Sequence, residues 1–474
     1  MSLLNNPLRL SLSVLALSIT LAGCSLAPSY QTPAAPIPAD WGAERVTKPN
    51  VAERLHELDW QAFVVDDSLR NLIEQALVNN RNLRQAILNV EASRAVYGVE
   101  RAARIPGVDL QGSGSRQRLP GDLDMSGTSS VQEEWRAGVG ITAFELDFFG
   151  RVRNLSESAL QEYLATEQAA RSVQISLIGE LIEVYLARSG AQQKLVLTRQ
   201  TLEGREESLQ LIERMRVGGS TSALDLEDAV GLLEQARADF ESADRQFRQA
   251  SNALRLLVGV SDIDQLLPQK PSQSPYLVQA LSPGAPSELI ANRPDIHASE
   301  YRLRARNADI GVARAAFFPS VSLTGTLGTA SADLSNLFES GQRAWSFMPQ
   351  ISVPIFAGGR NRANLDLAQV RKDIAVAEYE QTIQTAFREV ADALAAVDTL
   401  RREERARRAR AESSARSLQL SEARWRTGVD DYLRYLDAQR NDFAYQVDLI
   451  EVSTDYQIAL ARLFRALGGG WTSS

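Results

Sequence analysis

The side chains that most often carry chemistry are scarce in this chain: one cysteine, Cys24, and two histidines, His56 and His297, among 474 residues. One thiol makes no internal disulfide, and three soft ligands so far apart do not build a zinc, haem or iron–sulfur site. Neither histidine lies beside a Gly-x-Ser-x-Gly elbow. Gly468-Gly469-Gly470 follows a helical stretch and lacks the lysine a phosphate loop needs. The chain therefore reads as a non-enzyme with no metal site. With 51 Lys and Arg against 59 Asp and Glu, the net charge of −8 supplies no basic face for nucleic acid. The run from Arg401 to Arg410 tempts as an anion site, but Glu403 and Glu404 interrupt it, which predicts a solvated, salt-bridged helix face.

Cys24 is different because of what precedes it. Arg9, the apolar run Leu10 to Leu21, and then Leu21-Ala22-Gly23-Cys24 have the layout of a secretory signal, too short to span a membrane. The last four residues resemble a bacterial lipoprotein signal. That resemblance implies removal of residues 1–23 and a covalent lipid on Cys24 as the only cofactor. Ser25, where an Asp would retain such proteins at the inner membrane, resembles sorting to the outer membrane. Residues 27–40, with Pro28, Pro33, Pro36 and Pro38, predict an extended tether.

The rest of the chain says the same thing twice. Gly98-Val99-Glu100-Arg101-Ala102-Ala103 returns as Gly311-Val312-Ala313-Arg314-Ala315-Ala316, an offset of 213. Gly150-Arg151-Val152-Arg153 returns as Gly359-Arg360-Asn361-Arg362, and Ser208-Leu209-Gln210-Leu211 as Ser417-Leu418-Gln419-Leu420, both at 209. A unit of about 210 residues is far longer than a solenoid repeat. Each half predicts helix, strand, strand, very long helix, shorter helix. Residues 361–427 hold neither Gly nor Pro, and Tyr379, Ile383, Phe387, Val390, Leu394 and Val397 step by four, four, three, four and three, the rhythm of packed helices. Residues 151–217 match them with only Gly179, Gly190 and Gly204 as interruptions. Such a rod reaches about 100 Å at 1.5 Å per residue. Shorter helices are expected at about 68–104 and 222–257, and again at about 286–316 and 432–466.

Between short helix and rod the period changes to two. Trp135, Ala137, Val139 and Ile141 alternate with Arg136, Gly138, Gly140 and Thr142, and Phe347, Pro349, Ile351 and Val353 with Met348, Gln350, Ser352 and Pro354. Val108 and Leu110, and Val321, Leu323 and Leu327, begin the partner strands. Segments of about ten residues with one apolar face match outer-membrane barrel strands, whereas two amphipathic hairpins on a helical core are the soluble alternative. Four strands cannot close a barrel, so a pore needs several chains.

Lipobox, duplication, rods, paired hairpins and the run Pro354-Ile355-Phe356-Ala357-Gly358-Gly359-Arg360 together resemble the outer membrane factor family, the TolC-like channels, in the lipoprotein branch that serves multidrug efflux. The resemblance implies a mainly α chain with a small β part. In it a tandem-duplicated long-helix barrel carries four strands per chain into a 12-stranded trimeric β-barrel in the outer membrane. It divides the chain into a signal at 1–23, a lipidated tether and equatorial segment at 24–65, repeat 1 at 66–260 with its hairpin at 106–148, a linker at 261–284, repeat 2 at 285–467 with its hairpin at 319–356 and rod at 360–427, and a tail at 468–474. Its implied partners are two further copies, a periplasmic adaptor, an inner-membrane pump and outer-membrane lipid, with no nucleic acid.

The same resemblance places the turns after the rods, Arg216-Val217-Gly218-Gly219 and Arg426-Thr427-Gly428-Val429, at a periplasmic tip that closes the channel and meets the adaptor through Gly218, Gly219 and Gly428. Read alone, those glycines are helix stops. Asp225 and Asp437 fall where the family puts gate carboxylates, whose crowding would raise their pKa and attract cations. Trp425 stands where a gate Tyr is common, and Arg434 stands where some members are acidic. Read alone, Asp225 is a helix-start charge, and Asp430 and Asp431 are caps. Trp135 and Trp345 are expected in the interfacial aromatic belt. A structural or adaptor-like coiled-coil lipoprotein without a pore is the other reading, which the two apolar-faced hairpins oppose.

Overall fold

The computed structural model describes residues 25–38, 53–54, 59–125, 127–268, 275–279, 281–282 and 286–469. Cys24, the signal before it and His56 lie outside those residues, as does the tail from Gly470. Along the chain run β1 (Glu53–Arg54), α1 (Trp60–Phe63), α2 (Asp67–Asn79), α3 (Arg81–Ala102), β2 (Asp109–Leu119), β3 (Ser130–Leu146), α4 (Arg151–Val217) and α5 (Ala223–Val258). There follow β4 (Leu281–Ser282), α6 (Pro286–Asn292), α7 (Pro294–Ala315), β5 (Ser320–Ser331), β6 (Arg343–Ser352), α8 (Arg360–Arg426) and α9 (Tyr432–Ala466). Both rods, α4 and α8, are 67 residues long and lie 209 positions apart. The glycines inside α4 are not simple weak points. A Cβ at Gly190 would collide with the Thr454 hydroxyl, so its absence lets α9 approach closely.

The first helix of each repeat is broken, where the sequence predicted one piece. In repeat 1 the break is at Asn80, whose Oδ1 accepts from Leu83 N–H at 3.0 Å and caps α3, while its Nδ2 donates to the Leu257 carbonyl at 2.8 Å. In repeat 2 it is at Arg293, which precedes Pro294 and is disfavoured there from helical geometry. Its Nη1 donates to the Ala466 carbonyl at 2.7 Å. Leu257 and Ala466 are themselves 209 apart, so the duplicated knot survives while its donor has changed from an amide to a guanidinium. Arg293 is buried, and Asp295 and Glu389 hold it at 2.6 and 2.8 Å; these carboxylates keep its pKa raised despite the opposing effect of burial.

Two compact units cut across the repeats. Among the described residues, one draws on those within 1–34, 89–167 and 298–380, the other on those within 35–88, 168–297 and 381–474. The second has the larger apolar core, with Leu69, Leu72, Ile178, Leu181, Ile182 and Leu254 fully buried and Phe63 stacked on Phe464 at 4.1 Å. Of the heptad positions, Tyr379, Ile383 and Val390 are buried, whereas Phe387, Leu394 and Val397 are half-buried.

The first unit contains the sheet, in the order β2-β3-β5-β6 with antiparallel neighbours throughout. The pairings Leu110↔Val139↔Leu327↔Trp345 put one apolar row across all four strands. A bulge between Ile141 and Phe144, with Ala143 at φ 51°, keeps Phe144 in phase opposite Leu323. The sequence also predicted that the segment after Cys24 is a tether. Its described part is extended but docked. Ser25 Oγ donates to Asn154 Oδ1 at 2.8 Å, Asn307 Nδ2 to the Pro28 carbonyl at 2.8 Å, and Arg314 Nη1 to the Leu26 carbonyl at 3.1 Å. Arg304 lies over the Tyr30 ring at 5.0 Å. Proline fixes the extended backbone, and the polar faces of α4 and α7 satisfy the groups it leaves free.

Candidate functional site: helical turns and an open sheet

Each rod ends in the same Schellman turn. Ser220 N–H reaches back to the Met215 carbonyl at 2.8 Å and Gly219 N–H to Arg216 at 3.0 Å, while Val429 reaches Arg424 and Gly428 reaches Trp425, both at 2.9 Å. Gly219 and Gly428 sit at φ 72° and 73°, in the left-handed region, and an added Cβ would touch nothing at either. Backbone conformation, not crowding, therefore selects glycine there. Gly218 precedes the left-handed position and closes the helix onto the Arg214 carbonyl at 3.1 Å.

A small core ties the turns together. Ile212, Ala229, Tyr432, Tyr435 and Leu436 are buried, with Leu209, Met215, Leu226, Leu418 and Trp425 packed around them. Trp425 stacks on Tyr435 at 5.0 Å and 2° and leans on Tyr432 at 5.3 Å. Arg205 is buried against this cluster with Gln439 as its hydrogen-bond partner, and burial lowers its pKa. Gln439 in turn donates to the Tyr435 hydroxyl at 2.5 Å. Burial pushes the Tyr432 phenol up to about 12, and among the described residues its hydroxyl finds no hydrogen-bond partner.

The candidate gate residues occupy separate local arrangements. Asp225 completes a capping box with Ser222: its Oδ2 accepts from Ser222 N–H at 2.9 Å, Ser222 Oγ at 2.7 Å and Thr221 Oγ1 at 2.7 Å, and its own N–H donates to Ser222 Oγ. These hydrogen bonds hold its carboxyl below the usual range within the chain, the opposite direction from ring repulsion. Asp431 caps α9 by accepting from Arg434 N–H at 3.0 Å. Asp430, expected as a cap, instead takes a forked ion pair from Arg424 at 2.6 and 2.9 Å, with Arg434 Nε at 3.7 Å, and the Arg424 hydrogen bonds lower its pKa. The turn folds Asp430 back over the last turn of α8, a placement that sequence spacing does not reveal. Asp437 pairs with Arg440, and Arg426 with Glu422 at 2.6 Å. Sequence reasoning passed over Arg205, Tyr432, Tyr435 and Gln439; the Tyr432/Tyr435 spacing opposite Trp425 was the available signal.

The Arg401–Arg410 face is salt-bridged, through Arg402–Asp398, Arg407–Glu403, Arg407–Asp448 and Arg408–Glu404. His297 makes a backbone contact with the Ala291 carbonyl at 2.8 Å. Among the described residues no His, Cys, Asp and Glu group could hold a metal ion.

The sheet is open where the turns are tied. Among the described residues β2 and β6 each pair on one side, leaving two free edges, and the apolar row faces outward, with Leu110 at 85%, Trp345 at 76% and Leu327 at 64% exposure. The Trp135 ring lies over Gly114, where a side chain would collide with it. Among the described residues no helix is long and apolar enough to cross a membrane. The family model for outer membrane efflux protein matches residues 72–260 and again 285–469, once per repeat. The chain belongs to the outer membrane efflux protein family. It is 54% identical over 97% of its length to outer membrane protein OprJ of Pseudomonas aeruginosa, of which it covers 95%. The crystal structure of a membrane protein from Pseudomonas aeruginosa superimposes with a TM-score of 0.90 at 55% identity, covering 94% of this chain and 98% of that one. The open state of the Neisseria gonorrhoeae MtrE outer membrane channel gives 0.84 at 35% identity, covering 94% and 98%. The mainly helical chain with its four-stranded sheet is thus an efflux channel protein of the outer membrane.

Proposed function

We propose that three copies each give four strands to a 12-stranded barrel, with their helices forming a periplasmic tunnel that serves as the exit duct of a tripartite efflux system. The open-edged sheet carries this reading: four strands are half of what the smallest common barrel needs, and free edges beside an outward apolar face are unstable unless other strands pair with them. An adaptor-like rod protein has no use for such a sheet. A lipid on Cys24 adds a second membrane attachment, and Trp135 and Trp345, on the same sheet face, serve as interfacial anchors. A periplasmic adaptor meets the turns at Gly218, Gly219 and Gly428, and an inner-membrane pump loads the duct.

The tip is the gate. Three copies of Asp225 and Asp437 around one axis bring like charges together, against the capping box that favours the ionised form of Asp225. Arg434 and Arg426 are exposed charge-pair donors for a neighbouring helix. In planar bilayers Asp225→Ala with Asp437→Ala raises conductance and weakens divalent-cation block, and Arg434→Ala loosens the closed state. Absence of conductance from a heat-modifiable trimer would refute the duct; unchanged conductance and block in the double variant would leave the carboxylates as helix-start groups.

A further inference from the structure

The docked segment after Cys24 marks one side of α7. Glu300, Asn307 and Arg314 bond to residues of that segment, Arg304 lies over its Tyr30 ring, and a Cβ on Gly311 would reach the Ala27 backbone. At 3.6 residues per turn, Arg302, Arg306 and Asp309 fall about half a turn away from these. On that opposite side Arg302 and Arg306 meet Arg371, Ile374, Ala375 and Glu378 of α8 around a cavity of about 310 Å³. Its three guanidiniums are not equivalent. Arg306 is paired with Glu162 at 2.7 Å and Asp309 at 3.1 Å, neither of which lines the cavity. Arg302 and Arg371 have no hydrogen bond or ion pair among the described residues, whereas Arg304 and Arg314 of the same helix are bonded. The duplication supplies a control. Asn89, Ser93 and Glu162 are the twins of Arg302, Arg306 and Arg371, and Ser93 Oγ donates to Oγ1 of Thr166, the twin of Ala375, at 3.2 Å. The corresponding helices of repeat 1 thus pack with no guanidinium at these positions, so packing does not require Arg302 or Arg371.

We infer that this cavity is a binding site on the tunnel wall for a monoanion with an apolar body, an aromatic carboxylate or sulfonate, held by Arg302 and Arg371 over Ile374 and Ala375. The inference rests on the duct proposed above: a lipid on Cys24, the neighbour of Ser25, has to reach the bilayer outside the barrel, so the docked segment lies on the outer side and the arginines face the lumen. The ligand class follows from the lining. Two unpaired guanidiniums on facing helices suit the planar or forked oxygens of a carboxylate or sulfonate. Ile374 and Ala375 offer apolar surface beside them, and about 310 Å³ admits one or two rings. A second negative charge would meet Glu378 and, behind Arg306, the two carboxylates that share one guanidinium, which favours a monoanion over a dianion.

The test is current block in planar bilayers by 2-naphthalenesulfonate, with 2-naphthol as the uncharged ring and methanesulfonate as the ringless anion. The unsubstituted channel should be blocked by 2-naphthalenesulfonate at a concentration at least tenfold below that needed for either control. Arg302→Asn with Arg371→Gln removes both unpaired charges, and the first substitution installs the residue of the twin position, so the chain should still run as a heat-modifiable trimer. In that variant the block should weaken at least tenfold. Equal block of the variant and the unsubstituted channel, or equal block by 2-naphthol, would overturn the site and leave the duct standing. No conductance from the unsubstituted trimer would bring down both. Arg302→Cys gives a second readout. A bulky, membrane-impermeant maleimide should lower its conductance in up to three steps, one per copy, and leave the unsubstituted channel unchanged. Conductance of the labelled Arg302→Cys channel equal to that before labelling would put the residue outside the lumen and overturn the inference.

Discussion

Replacing Trp425 with alanine should loosen both rod-end turns without touching the sheet. The indole is half-buried, stacks on Tyr435 and leans on Tyr432, and closes one side of the small core formed by Ile212, Ala229 and Leu436. Truncating a fully buried aromatic costs about 3–5 kcal/mol, so half-burial sets the loss near ~2 kcal/mol. Local opening of the turn then becomes about 30-fold more frequent, since about 1.36 kcal/mol is a factor of ten. Amide hydrogen exchange reads this directly. The Gly428 and Val429 N–H groups, bonded to Trp425 and Arg424, and the Arg434 N–H, capped by Asp431, should each lose about that much protection. Ser220 should follow to a smaller degree because its acceptor Met215 packs on the same core. Trp425→Phe retains one ring and should cost less than about fivefold. A change below about threefold in Trp425→Ala, or an equal loss across β3 and β5, would refute the assignment of this core as the local tie of the turns.

The carboxylates set a pH dependence with a definite sign. Asp225 and Asp430 have folded pKa values below the ordinary 3.8, so their contribution is complete above that value and is lost as pH falls through the lower folded values. Exchange protection at the turns should therefore be flat between pH 7 and about pH 5 and fall only below about pH 4; loss with a midpoint above about 5 would mean that ring repulsion outweighs capping. Gly219→Ala and Gly428→Ala should each destabilise their turn by about 1–2 kcal/mol, read as the same exchange protection, with an effect under about twofold contradicting the strain argument. Cys24→Ser should block acylation yet leave the chain in the outer membrane, because the sheet's apolar row outweighs acyl chains worth about 0.8 kcal/mol per CH₂; recovery of that variant wholly in the soluble periplasmic fraction would count against the barrel.

The sequence reveals the elements better than their partners. Absence of proline over 67 residues and a period of two between glycine-rich turns reflect local backbone preferences, so the two rods and the presence of four strands are legible in the sequence, though not the strand ends. The break at Asn80 was hidden because helical periodicity continues through it and its side chain bonds a carbonyl 177 residues away; at Arg293 the following Pro294 was the local signal, and only the bond to the Ala466 carbonyl, 173 residues on, could not be read. The same holds for the segment after Cys24. Its prolines specify extension but do not indicate that Asn154, Asn307 and Arg314 hold it. Asp431 behaved as a cap because capping is local, whereas the Asp430 pairing depends on how the Gly428 turn folds back.

The two kinds of incompleteness in the first unit coincide. Its strands run β2, β3, β5, β6, and its helix contacts run in the same sequence: α3 meets α4 through Ser93–Thr166 and the Tyr97–Tyr163 stack, α4 meets α7 through Glu162–Arg306, and α7 meets α8 through Asn361 and the Ala316 carbonyl. Both arrays end on the same flanks, with the free edge of β2 and the bare face of α3 on one, and the free edge of β6 and the bare face of α8 on the other. A partner that only paired a strand would leave the helix faces wet, and one that only covered a helix would leave an aggregation-prone edge. The opposite flank of the same chain carries a free strand edge beside a bare helix face, so the trimer proposed above offers each copy both kinds of cover at once.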